Sequence, residues 1–212
     1  MECFKNKILD YEQKYDNLTY IARKGKLPIM FTAAHTMMQL KENGEYKNSE
    51  PYTKAIAMYV AEKTDCFYLI KNKDTGIDSN NVENDTFKNM LLDNIKDNDV
   101  KLVIDLHGAK KDRNFDVELG TLNNLSSDYS TIKELIDSFN ENGIFNIDVN
   151  NPFKGGAITQ KVFSETDCDV IQIEINASFR NIEEENKIEQ VCNSFIKFVE
   201  QYSEIINKYN KQ

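Results

Sequence analysis

The sequence predicts an α/β domain. Short apolar runs with strand periodicity alternate with longer segments of helical periodicity. The composition is that of a packed globular chain, with 40% hydrophobic and 29% charged residues. No linker, repeat or low-complexity segment interrupts it, so residues 1–212 read as a single domain.

Taken in order, Cys3 to Tyr15 fits an amphipathic helix and Leu18 to Arg23 a short strand, with KGK as a turn. Pro28 to Ala34, PIMFTAA, reads as a buried strand that delivers His35 at its end. Lys41 to Ser49 is a polar loop. Pro51 then opens the helix PYTKAIAMYVAEKT, in whose first turn a missing N–H leaves no bond unmade. Cys66 to Ile70 is the next strand, followed by the loop KNKDTGIDSNNVEN and a helix near Asp85 to Ile95. Lys101 to His107 and Phe115 to Leu122 are strands, and Ser130 to Asn142 is a helix. A short strand around Ile144 to Val149 leads into the loop NNPFKGGA. Val170 to Phe179 is the last strand. Ile182 to Tyr209 is a long amphipathic closing helix, suited to packing on the sheet or to a dimer, so a monomer or homodimer is expected.

The formal charge is −9 and the pI about 4.9. An acidic surface repels phosphate backbones, which excludes nucleic acid as the expected partner. A cationic cleft for a small acidic substrate remains compatible with that charge. No stretch approaches the ~18 apolar residues of a membrane span, and the start MECFKNKILDYEQKY has no apolar core of a signal peptide. The four cysteines form no close pair and read as reduced thiols. The expectation is a cytoplasmic protein with no membrane partner.

Both histidines of the chain stand just past a buried strand, His35 after PIMFTAA and His107 after LVIDL. Ligands of open α/β sheets bind at the carboxyl ends of strands. Asp105 and His107 are two apart on a strand and share a face, so Asp105 can support the imidazole from behind. In VIQIEINASFR the odd positions are apolar, and the even ones are Gln172, Glu174, Asn176, Ser178 and Arg180. This alternation fits either an edge strand with one wet face or a strand whose polar face floors a cleft. In the second case Glu174 is a rigidly held carboxylate suited to acid/base work, and Asn176 on the same face is expected to bind substrate. A hydrolytic zinc site takes three protein ligands and leaves one position open. The third ligand is then a carboxylate, with Glu42, Glu45 and Glu50 in range. Glu50 precedes Pro51 at a helix start, where it could equally serve the helix dipole. Of the three arginines, Arg113 lies in the polar loop after His107 and Arg180 is on the polar face of the Glu174 strand. Either can offer a forked cation to a carboxylate or be plain surface charge. Gly155 and Gly156 can bring backbone N–H groups close to a substrate, or simply turn the chain.

AAHTM around His35, KNSEPYTKAIA, VIDLHGAKKDRNFDVELGT, PFKGGAITQ and QIEIN around Glu174 together resemble the N-formylglutamate amidohydrolase family of zinc-dependent amide hydrolases. The order of His, acid, Asp-x-His and Glu is also that of zinc carboxypeptidase-like folds. The resemblance implies a mixed, mostly parallel sheet flanked by helices. It implies one zinc ion on His35, Glu50 and His107, Glu174 as the base that activates water, and a small acidic amide such as N-formylglutamate as substrate. A carboxypeptidase-like or poly-γ-glutamate hydrolase-like enzyme is the alternative of the same chemistry, and a non-catalytic binding module is the alternative of another class. Two features differ from the family pattern: the first motif reads His-Thr-Met, and Asp78-Ser79-Asn80 matches its Asp-x-Asn-Arg motif only in part. Asp78 and Glu45 stand as replacements for Glu50 among the ligands.

Overall fold

The computed structural model describes residues 3–14, 17–40, 44–82 and 85–209, with side chains to 203. Tyr15, the expected end of the first helix, and the candidate ligand Glu42 lie outside the described residues. The described residues form nine strands: β1 (Tyr20–Arg23), β2 (Leu27–Ala33), β3 (Gln39–Leu40), β4 (Tyr46–Lys47), β5 (Cys66–Lys71), β6 (Leu102–Ala109), β7 (Val117–Gly120), β8 (Ile147–Val149) and β9 (Asp169–Asn176). Six helices accompany them: α1 (Phe4–Gln13), α2 (Thr53–Thr64), α3 (Thr86–Asn98), α4 (Tyr129–Glu141), α5 (Ala157–Glu165) and α6 (Glu185–Tyr209). Strand β4 falls in the expected polar loop 41–49, while β3 and all of α5 after Ala157 lie where the sequence reading assigns no element.

Seven strands form one sheet in the order β1-β5-β2-β6-β9-β7-β8, and β3–β4 stand apart. The central run β5, β2, β6, β9 is parallel, while β1 and β7 pair antiparallel to β5 and β9. The sheet is therefore mixed and mostly parallel, with helices on both faces. On one face α1, α2, α4 and α6 cover Ile29, Phe31, Ile104, Leu106, Ile171 and Ile173. The apolar stripe of α6, from Ile188 through Phe198, is buried in this layer. On the other face α3 and α5 cover Met30, Val103 and Val170.

Period two decides what lies beyond those helices. Thr32, Asp105, His107, Gln172 and Glu174 share the face of Met30, Val103 and Val170, but sit nearer the carboxyl ends of the strands. The chain leaves β2 for β5 on one side and returns to β6 on the other, so the β2–β6 boundary is the switch point where open α/β sheets form their crevice. His35 and His107 flank it. β9 is an interior strand between β6 and β7, not an edge strand with one wet face, so its polar residues are buried. Among the described residues, no helix is long and apolar enough to cross a membrane. All four cysteines are unpaired.

Candidate active site

The ring of His35 is fully buried between Asp78 and Lys47. Its Nε2 lies 2.7 Å from Asp78 Oδ1, and its Nδ1 lies 2.7 Å from Lys47 Nζ. An ammonium can only donate, so Nδ1 accepts and Nε2 carries the proton given to Asp78. His107 has the matching support: its Nε2 is 2.9 Å from Asp105 Oδ2, and Asp105 Oδ1 accepts the Thr32 hydroxyl at 2.6 Å. Two carboxylates thus turn the two Nδ1 atoms toward each other, 3.1 Å apart. Burial alone would raise the Asp78 carboxyl, but the adjacent His35 holds it well below the usual carboxylate range. The Asp78 loop is tied down by two buried lysines: Lys71 donates to Ile77 O, and Lys88 donates to Ser79 O at 2.8 Å.

Glu50 closes the group. Its backbone N–H donates to His35 O at 2.8 Å, which joins two positions 15 residues apart. Its Oε1 lies 3.1 Å from His35 Nδ1, and its Oε2 lies 3.4 Å from His107 Nδ1 while accepting Gly108 N–H at 3.0 Å. Burial opposes ionisation of Glu50, but the two imidazoles outweigh it and hold the carboxyl well below its ordinary value. In the same way burial disfavours a charged His107, yet Asp105 and Glu50 push its pKa well above the ordinary value. One donor atom each from His35, Glu50 and His107 lie within 4.8 Å of one another. Two imidazole nitrogens and a carboxylate that meet in this way could hold a metal ion, and an N,N,O set is compatible with zinc. The nearest side-chain cation described is Lys47, whose Nζ is 3.5 Å from Glu50 Oε1.

Glu174 pairs with His107 across the β6–β9 ladder and with Glu118 across β9–β7. Its Oε1 accepts Gln172 Nε2 at 3.0 Å, and burial raises its pKa. Sequence reasoning did not single out Glu118, although it sits in the quoted stretch FDVELGT. It is fully buried, and its Oε1 accepts Phe153 N–H at 2.6 Å. Burial pushes its pKa up to about 7.

These residues open on a cleft of about 480 Å³, within the size range of small-molecule sites. Glu50, Asp78, His107 and Glu174 line its floor, and Lys110, Arg113 and Lys154 line its outer wall. Arg113 is exposed and stacks on the Phe153 ring, 5.0 Å from its centroid. Gly155 and Gly156 also line the cleft. The N–H of Gly156, however, is taken by Gln172 Oε1 at 2.7 Å, so it is not a donor for substrate. Asn176 points away from the cleft and donates to Phe115 O at 2.9 Å, shaping the loop that carries Arg113. Arg180 does not line the cleft either, because its guanidinium is buried on three main-chain carbonyls. The chain leaves its strand conformation at Asn176 and turns through a 3-10 segment, Ala177–Phe179, so the polar face of β9 does not extend to Arg180. Glu45 is exposed on the β3–β4 hairpin, apart from the three donors.

The N-formylglutamate amidohydrolase family model matches residues 88–179. No curated protein sequence matches the chain. Among solved structures, N-formylglutamate amidohydrolase from Ralstonia eutropha JMP134 superposes with a TM-score of 0.69 at 11% identity, covering 89% of this chain and 98% of that one. A bacteriophage poly-γ-glutamate hydrolase gives 0.55 at 16% identity, with 93% of each chain covered. A metallo-carboxypeptidase from Burkholderia cenocepacia gives 0.51 at 13% identity, covering 82% of this chain and 57% of that one. At such identities these likenesses show a shared fold.

The N-formylglutamate amidohydrolase match takes in Asp105, His107, Arg113, Glu118, the Gly155-Gly156 loop and Glu174. His35, Glu50 and Asp78 lie outside it, and the fold brings them to the matched residues. The family match supports a hydrolase acting on amides.

Proposed function

We propose that the chain is a zinc-dependent amidohydrolase of a small acidic amide, an N-acyl amino acid such as N-formylglutamate. The observation that carries this reading is the meeting of His35 Nδ1, His107 Nδ1 and Glu50 at the floor of a cleft beside the buried Glu174. His35, Glu50 and His107 would hold one zinc ion. Bound zinc lowers the pKa of water to about 7 and polarises a carbonyl.

The protein's own groups supply the rest. Asp78 and Asp105 orient the imidazoles, so both histidines turn Nδ1 to the site, where a bound metal would displace any proton it carries. Glu174 is held by the pleat of β9 and by Gln172, and its raised pKa brings it closer to neutrality, where a carboxylate both takes up and returns a proton efficiently. It accepts the proton of the attacking water and passes it to the leaving amine. Arg113 offers two parallel N–H donors at the mouth, suited to a substrate carboxylate. Lys110 and Lys154 add positive charge on the same wall of an otherwise acidic protein.

Hydrolysis of N-formylglutamate, assayed with a chelator and after zinc is restored, tests the reading. Activity that is lost and then regained supports it. Turnover indifferent to the chelator contradicts the metal. Zinc and ligand binding without turnover would make the chain a binding module.

A further inference from the structure

Arg180 has a buried charge, three donors in use and, among the described residues, no carboxylate in direct contact. Its Nε donates to Ile175 O at 3.0 Å, its Nη1 to Pro51 O at 2.9 Å and its Nη2 to Ala109 O at 3.0 Å. These carbonyls belong to three separate segments. Ile175 follows Glu174 on β9, Pro51 follows Glu50 before α2, and Ala109 stands two residues past His107 on β6. The planar fork of a guanidinium fixes the directions of its bonds, which a flexible ammonium does not. Gly108 lies against the same group, and a Cβ there would collide with the guanidinium. The absent side chain at Gly108 thus lets the fork seat directly under the chain that bears His107.

We propose that Arg180 is the positioning residue of this site, a single fork that sets the spacing of Glu50, His107 and Glu174 by holding the main chain just after each. The proposal rests on the reading that Glu50 and His107 are metal ligands and Glu174 the base. Arg180 acts through these residues and touches no substrate.

The test is zinc affinity, measured by competition with a chromophoric chelator, on the parent, R180K, R180Q, G108A and R23K, with kcat and KM in parallel. Arg23 is the control. It ends the edge strand β1, where it donates to Cys66 O at 2.6 Å and pairs with Asp65. R180K and R180Q should keep the parental circular dichroism and lose zinc affinity roughly 10–100-fold, the usual effect of removing a group that orients ligands. Their kcat should fall more than their KM rises. G108A pushes the guanidinium aside with its charge retained, and should shift zinc affinity the same way. R23K should lower Tm and leave zinc affinity unchanged. Zinc affinity within twofold of the parent in both Arg180 variants overturns the proposal, as does an equal loss in R23K. If the Arg180 variants do not fold, G108A decides by the same twofold criterion. A parent that binds no zinc overturns the functional reading itself, and the proposal with it.

Discussion

Asp78 accepts the Nε2–H of His35 at 2.7 Å, and this leaves Nδ1 as the nitrogen that faces Glu50. Asp105 does the same for His107 from two residues earlier on the same strand, β6. The two histidines are therefore oriented by two carboxylates from different parts of the chain.

This relationship sets the first prediction. Asp78→Asn and Asp105→Asn keep the shape of each carboxylate and remove its charge, so either ring can adopt the wrong tautomer. Each variant should bind zinc about 10–100-fold more weakly while remaining folded. Equilibrium dialysis against a zinc buffer reads the result. Parental affinity in both would mean that the tautomers are not set by these residues.

Glu174→Gln preserves the hydrogen bond from Gln172 in shape and removes the basicity. It should retain zinc and lose kcat by about 10²–10⁴-fold, the contribution of a placed acid/base. Steady-state kinetics and metal content on one preparation separate the roles. Loss of the metal would make Glu174 a ligand, and parental turnover would remove it from the reaction.

Arg113→Ala should raise KM for the acidic substrate by about tenfold or more, since a charged hydrogen-bond pair contributes roughly 1.5–3 kcal/mol. A substrate amidated at that carboxylate should show no such difference. An equal loss on both substrates would assign Arg113 to the cleft wall alone, through its stacking on Phe153.

Much of this site is legible in the sequence because strand periodicity is a strict rule. Asp105 and His107 must share a face, and so must Gln172 and Glu174. Where the strand ends, the rule ends with it. The reading of Arg180 and Asn176 as substrate groups carried the alternation forward without knowing which way each polar atom turns. Arg180 lies past the turn at Ala177–Phe179, and Asn176 bonds the 111–115 loop. Glu50 is brought to His35 by a single main-chain bond over a polar loop, which no periodicity reveals. Asp78 lies in a loop tied down by Lys71 and Lys88, two lysines whose burial has no local signature. The β3–β4 hairpin is too short to show a period, and α5 begins inside a glycine-rich loop that masks its start.

The buried Glu118 gives a prediction about pH. Its pKa is about 7 in the folded chain against 4.5 as the ordinary value, so the folded state holds the proton more tightly. Its contribution to stability is fully present below about pH 4.5 and is lost as pH rises through about 7. Measured with a chelator present, Tm of the parent should fall from pH 5.5 to pH 8, and Glu118→Gln should reduce that fall. An unchanged slope in the variant would mean that Glu118 is ionised throughout.

The central claim is that His35 and His107, with Glu50, hold one metal ion. Elemental analysis of the purified parent, His35→Ala and His107→Ala tests it most directly, with circular dichroism confirming that each is folded. About one zinc per chain is expected in the parent and close to none in either variant. Stoichiometric zinc in both variants, or none in the parent after incubation with zinc, would contradict it.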